Sequence, residues 1–131
     1  MLECLILGDS IAVGIAQQRP ECVAYVKTGI NSYNWNNQHI TKNLSGKTVV
    51  ISLGANDSGK INTRSELNTL RQLVKADIVF WILPHNNPSI HGFIRELAED
   101  YRDVVLPIAN ISPDRIHPTT KGYKVLANQT R

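Results

Sequence analysis

Leu2-Glu3-Cys4-Leu5-Ile6-Leu7-Gly8-Asp9-Ser10-Ile11 decides the fold of this chain. A nearly unbroken apolar run is what a β-strand buried on both faces looks like. Here it ends at a glycine, and two polar residues then lead into a short helical segment over 11–18. Four more runs of this kind follow, at 22–26, 48–53, 78–83 and 104–106. Between them the spacing predicts helices over 32–43, 63–75, 89–101 and 119–128. The helix over 63–75 opens with Thr63-x-x-Glu66, the pattern of a capping box, and puts Leu67, Leu70, Leu73 and Val74 on one face. The helix over 89–101 carries Ile90, Phe93, Ile94 and Leu97 at helical spacing. The last turns Tyr123, Leu126 and Ala127 inward.

Strands alternating with helices imply a parallel sheet covered on both faces. The expectation is an α/β protein: a three-layer α/β/α flavodoxin-like sandwich with a five-stranded parallel sheet in the order 2-1-3-4-5. At 131 residues the chain makes one domain, 1–131, with no linker, repeat or low-complexity segment. Hydrophobic residues make up 42% and charged residues 19%, which excludes a disordered chain. The net charge of +3 comes from 14 basic and 11 acidic residues without a basic stripe, so no nucleic-acid partner is expected. No apolar stretch reaches the length of a membrane span. With the first strand starting at Leu2, no signal peptide is expected and the chain reads as cytoplasmic as synthesised. Cys4 and Cys22, each in an apolar run, read as reduced core thiols, with a single bridge as the alternative. No Cys/His/carboxylate cluster has metal-ligand spacing, and no cofactor is expected. Ser45-Gly46-Lys47-Thr48 ends like a phosphate-binding loop, but position 41 is threonine and the segment leads into a strand.

In sheets of this kind ligands bind beyond the carboxyl ends of the strands. The chemically unusual residues gather there. Asp9 and Ser10 follow the first strand, Gly29 the second, and Gly54-Ala55-Asn56-Asp57 the third. Pro84-His85-Asn86-Asn87 follows the fourth. Asp114-Arg115-Ile116-His117-Pro118 follows the fifth after a loop. A serine needs a base to become a nucleophile, and the base needs a carboxylate to fix its tautomer. Asp114 and His117, three apart, supply that pair.

Gly8-Asp9-Ser10, Gly29, Gly54-Ala55-Asn56-Asp57 and Asp114-Arg115-Ile116-His117-Pro118 resemble the four signature blocks of the SGNH hydrolases, the GDSL esterase/lipase family, in that family's order. The resemblance spans nearly the whole chain. It implies a serine esterase with Ser10 as nucleophile, His117 as general base and acid, and Asp114 orienting His117. The oxyanion hole would be the backbone N–H groups of Ser10 and Gly29 and the amide of Asn56. Ile11 stands where the family often has leucine, and the second block departs from the family around Gly29. The chain is short for the family, which implies no lid.

Other residues have plainer readings. Asp9 and Asp57 read as acceptors that organise their loops. His39 and His91 fall within helices and are given no catalytic part. His85 lies on the rim within reach of substrate. Asn31, Tyr33, Asn34 and Trp35 form either a sugar-binding wall or a polar helix face with core aromatics. Asn31, Trp35 and His85 are therefore the candidate substrate contacts. The expected substrate is a short-chain ester, acetyl above all, of a carbohydrate. The alternatives are a generic short-chain carboxylesterase or lipase, and a non-catalytic binding domain on the same fold.

Overall fold

The computed structural model describes residues 2–131. It contains a five-stranded parallel sheet in the order β2-β1-β3-β4-β5, the order expected. The strands are β1 (Leu2–Gly8), β2 (Val23–Val26), β3 (Ser45–Ser52), β4 (Lys75–Ile82) and β5 (Val104–Leu106). The helices are α1 (Ser10–Gln18), α2 (Ser32–His39), α3 (Thr63–Leu73), α4 (His91–Tyr101) and α5 (Thr120–Gln129). A single 3₁₀ turn, Pro88–Ile90, precedes α4.

Alternation along the strands divides the core in two. Leu5, Leu7, Val49, Ile51, Val79 and Trp81 face one way, against Trp35 of α2, Leu67 and Leu70 of α3 and Ile94 and Leu97 of α4. Ile6, Val50, Phe80 and Ile82 face the other way, against Ile11 and Ile15 of α1 and Leu126 of α5. Both faces of β1 and β3 are covered, which is why those strands read as unbroken apolar runs.

Several element ends differ from the sequence expectation. Helix α3 stops at Leu73, and Val74 is already extended (φ −81°, ψ 130°). Ser45 and Gly46 pair with Lys75 and Ala76, so β3 and β4 both begin three residues earlier than their apolar runs. Polar residues there still complete a ladder. The cap of α3 is Asn62, whose side chain accepts from the Ser65 N–H, so Thr63-x-x-Glu66 is not the capping box. The Thr63 hydroxyl instead donates to Asp57 (2.8 Å), and Glu66 accepts from the Asn36 amide (2.9 Å). Helix α2 ends at His39, four residues short of the expected end.

The cysteines are not free thiols. Cys4 and Cys22 form a disulfide with their Cα atoms 4.9 Å apart. The sheet register explains it: Leu5 pairs with Val23 across β1 and β2, which sets the preceding residues, Cys4 and Cys22, opposite each other. Among the described residues, Cys4, Glu21 and Cys22 are the one group close enough together to hold a metal ion, and its two sulfurs are bonded to each other. Among the described residues, no helix is long and apolar enough to cross a membrane.

Candidate active site

The site starts at the end of β1. Gly8 has φ +144°, and a Cβ there would lie 1.9 Å from the Ser52 carbonyl oxygen, so no other residue fits against β3. The chain then turns into α1. Asp9 caps the helix, its carboxylate accepting from the Ile11 N–H (3.0 Å) and the Ser52 hydroxyl (3.2 Å). As the first residue of α1, Ser10 has a backbone N–H with no acceptor inside the helix.

His117 reaches Ser10 from the far end of the chain. Its Nε2 is 2.8 Å from the Ser10 Oγ, and its Nδ1 is 2.7 Å from Asp114 Oδ2. Segment 112–117 is a tight turn and not a helix, with Arg115 in the left-handed region (φ 63°). Asp114 builds this turn. Its Oδ1 accepts from the Ser112 hydroxyl (2.6 Å) and from the backbone N–H groups of Ile116 (2.8 Å) and His117 (2.9 Å). The Ser112 hydroxyl, the His117 ring and the two N–H groups together hold the Asp114 carboxyl well below the usual carboxylate range. One carboxylate thus both shapes the loop and orients the imidazole. Serine, histidine and aspartate in such a chain can move a proton from hydroxyl to imidazole while the carboxylate stays ionised.

The other rim residues follow the ends of β2, β3 and β4. Gly29 follows β2 with φ +80°, and nothing lies within 4 Å of where its Cβ would be. Glycine is required there by the backbone angle and not by crowding. Asn56 is exposed at the end of β3, with one amide hydrogen donated to the Ile30 carbonyl (3.0 Å). That bond ties the loops carrying Gly29 and Asn56 together and leaves the second amide hydrogen to point elsewhere. Asp57 fastens the same loops: it accepts from the Ser32 backbone N–H (2.8 Å), the Ser32 hydroxyl and the Thr63 hydroxyl. It is the organising acceptor that the sequence suggested. Asp9 is such an acceptor too, but completely buried. Burial pushes its carboxyl up to about 6, against the opposing pull of the Ile11 N–H and the Ser52 hydroxyl.

The candidate substrate contacts divide. Trp35 is fully buried in the core under α2, and its ring N–H donates to the Tyr25 carbonyl (2.9 Å). It cannot form a sugar-binding wall. Asn31 spends its side chain as the cap of α2, accepting from the Asn34 N–H (2.7 Å). His85 is exposed on the loop after β4. Sequence reasoning missed the groove beyond that loop, a cavity of about 410 Å³. Asp57, Ser58, Asn62, Arg64, Asn87 and Phe93 are among its walls. The Asn87 amide donates to the Gly54 carbonyl (2.9 Å), joining the groove to the Asn56 loop. Its residues come from three separate segments, so no local pattern marks them.

The chain matches no protein-family model and no curated protein. Its likeness to solved structures is one of fold. A crystal structure of a candidate acylhydrolase from Bacteroides fragilis NCTC 9343 superposes with a TM-score of 0.69 at 19% identity, covering 96% of this chain and 83% of the other. The C-terminal catalytic domain of peptidoglycan O-acetyltransferase A from Streptococcus pneumoniae, carrying a methylsulfonyl adduct, superposes with a TM-score of 0.64 at 15% identity. It covers 97% of this chain and 89% of that domain.

Proposed function

We propose that this chain is a serine esterase of the SGNH type, cleaving short-chain esters, acetyl above all, carried by carbohydrates. The observation that carries the reading is the unbroken chain of contacts from Ser10 Oγ through His117 to Asp114, at 2.8 and 2.7 Å. In this reading His117 takes the proton of Ser10 as its Oγ attacks the ester carbonyl. The oxyanion is met by the N–H groups of Ser10 and Gly29 and the amide of Asn56. His117 returns the proton to the leaving alcohol. It then activates water, which releases the acid from the acyl-enzyme.

Two further observations support the ester and the sugar. One fold neighbour is described as an acylhydrolase and the other as an O-acetyltransferase acting on peptidoglycan. The groove that begins at Asp57, one residue past Asn56, has polar walls in Ser58, Asn62 and Asn87 and an apolar face in Ile61, Ile90 and Phe93. That mixture suits a sugar ring better than a long acyl chain. The test sets p-nitrophenyl esters of graded length beside acetylated saccharides. Fast release of acetate and slow turnover of octanoyl esters is the expected result. Preference for long chains, or activity that switches on at a lipid interface, moves the protein to the lipase reading. Transfer of the acetyl group to an added saccharide in preference to water makes it an acetyltransferase.

The place of action follows the cysteines. A disulfide in a small domain persists where the surroundings are oxidising, and the Cys4–Cys22 bridge therefore favours action outside a reducing cytosol over the cytoplasmic expectation.

A further inference from the structure

Ser10 opens α1, and His117 stands three residues before α5. Their separation therefore depends on how those two helices dock. Near the rim end, Tyr123 of α5 packs against Gly14 of α1. Gly14, one turn beyond Ser10, has no side chain, and the Tyr123 ring occupies the space. A Cβ at Gly14 would lie 2.2 Å from Tyr123 Cε1, 2.3 Å from Cζ and 2.6 Å from Cδ1. Burial, and then the charges of Asp9 and Asp114, push the Tyr123 hydroxyl up, which fits a ring wedged between the nucleophile's loop and the base's turn.

The base-bearing turn is itself fastened to α5. A Cβ at Gly122 would lie 2.6 Å from the Asn110 carbonyl oxygen and 2.9 Å from Pro118 Cβ. The Thr119 N–H donates to the Asn110 carbonyl (2.8 Å), and the Thr119 hydroxyl caps the helix at Gly122 (3.1 Å). Turn and helix therefore move as one piece. At its far end the helix pair is tied by Arg19, which donates to the Thr130 carbonyl (2.9 Å).

We infer that Tyr123, seated on Gly14, is a positioning residue that sets the distance between Ser10 and His117. The inference rests on the esterase reading. It goes beyond that reading by placing control of the nucleophile–base contact in a helix–helix notch that touches no reacting atom. A methyl group at Gly14 must push the ring outward by more than an ångström to reach ordinary contact distance. Displacement of about 1 Å in a catalytic pair is enough to cost on the order of 10²-fold in rate.

The experiment compares Gly14→Ala, Tyr123→Ala, the double variant and Arg19→Gln, with Ser10→Ala alongside. In Gly14→Ala, kcat on a p-nitrophenyl acetate probe is expected to fall by about 10²-fold, with KM changed less than about threefold, the signature of a loss confined to the transition state. Removing the ring in the double variant relieves the clash and is expected to restore at least about tenfold of that loss. Arg19→Gln, which loosens the same helix pair far from the rim, is expected to lower the melting temperature and leave kcat unchanged. A folded Gly14→Ala with wild-type kcat overturns the inference, as does an Arg19→Gln whose kcat falls equally. If Gly14→Ala does not fold, Tyr123→Ala decides: a lowered kcat at unchanged KM supports the inference, and an unchanged kcat sinks it. An active Ser10→Ala would instead remove the esterase reading itself.

Discussion

Ser10 Oγ and His117 Nε2 lie within hydrogen-bond distance, 2.8 Å, although 107 positions separate the two residues in the chain. If that contact is the working pair, either partner is useless without the other. Ser10→Ala and His117→Ala are expected to lose activity to about the same extent, and the double variant little more, because groups acting as a unit are not additive. A fluorophosphonate probe is expected to label Ser10 alone. Additive losses would show that the two residues act separately.

Asp114 has two duties, and two substitutions separate them. Asp114→Asn keeps an oxygen for the Ser112 hydroxyl and the N–H groups of Ile116 and His117, but turns an amide donor toward His117 Nδ1. The turn is expected to survive with the imidazole in the wrong tautomer, at a cost of roughly 10⁴ in kcat. Asp114→Ala loses the turn as well. Its thermal midpoint is expected to fall below that of Asp114→Asn, and equal midpoints would contradict the organising role.

Asn56 is expected to act on charge that exists only in the transition state. Asn56→Ala should lower kcat by roughly 10²–10³ with little change in KM. Because the same amide holds the Ile30 carbonyl, a modest loss of stability should accompany it. A change mainly in KM would make Asn56 a contact for bound substrate.

Asp9 couples stability to pH. Its carboxyl ionises at about 6 in the folded protein, raised by burial from the ordinary value of 3.8 that the unfolded chain keeps. Between those values the unfolded chain binds fewer protons than the folded one. Its contribution to stability is complete below about pH 4 and is lost as pH rises through 6, at a cost of up to about 3 kcal/mol. Asp114 runs the opposite way: its ionised form is favoured in the fold, so its contribution is lost on acidification below the ordinary carboxylate range. Asp9→Asn is expected to flatten the dependence of the melting temperature on pH between about 4 and 7. An unchanged slope would show that another group sets it.

The Cys4–Cys22 bridge closes a loop with a sequence separation of 18 that contains Ser10 and all of α1. Loops of this length give roughly 3 kcal/mol. Replacing both cysteines by alanine, or adding reductant, is expected to lower the melting temperature by about 10 °C. No change on reduction would mean that the bridge contributes nothing.

The fold was legible because β1 and β3 are buried on both faces and announce themselves as apolar runs. The contacts of His117 with Ser10 and Asp114 were legible because these residues follow strand ends in a recognisable order. Trp35 was misread because α2 is rich in asparagine. Its polar pattern hides a helix that buries Trp35 and Asn36 while exposing Tyr33. The disulfide was illegible for a different reason. Each cysteine is an ordinary apolar-run residue, and only the pairing of Leu5 with Val23 brings them together. The cap of α3 was misplaced by one residue because Thr63 has a tertiary partner in Asp57 that local spacing cannot reveal.

The turn that bears His117 comes after β5, while Ser10 follows directly on β1. During synthesis Ser10 therefore emerges 107 residues before the histidine it contacts. In the esterase reading, a nascent fragment that stops short of His117 carries an idle hydroxyl, and hydrolysis waits until the 112–117 turn has folded against the start of α1. In that reading the chain order acts as a built-in delay between the making of the nucleophile and its activation.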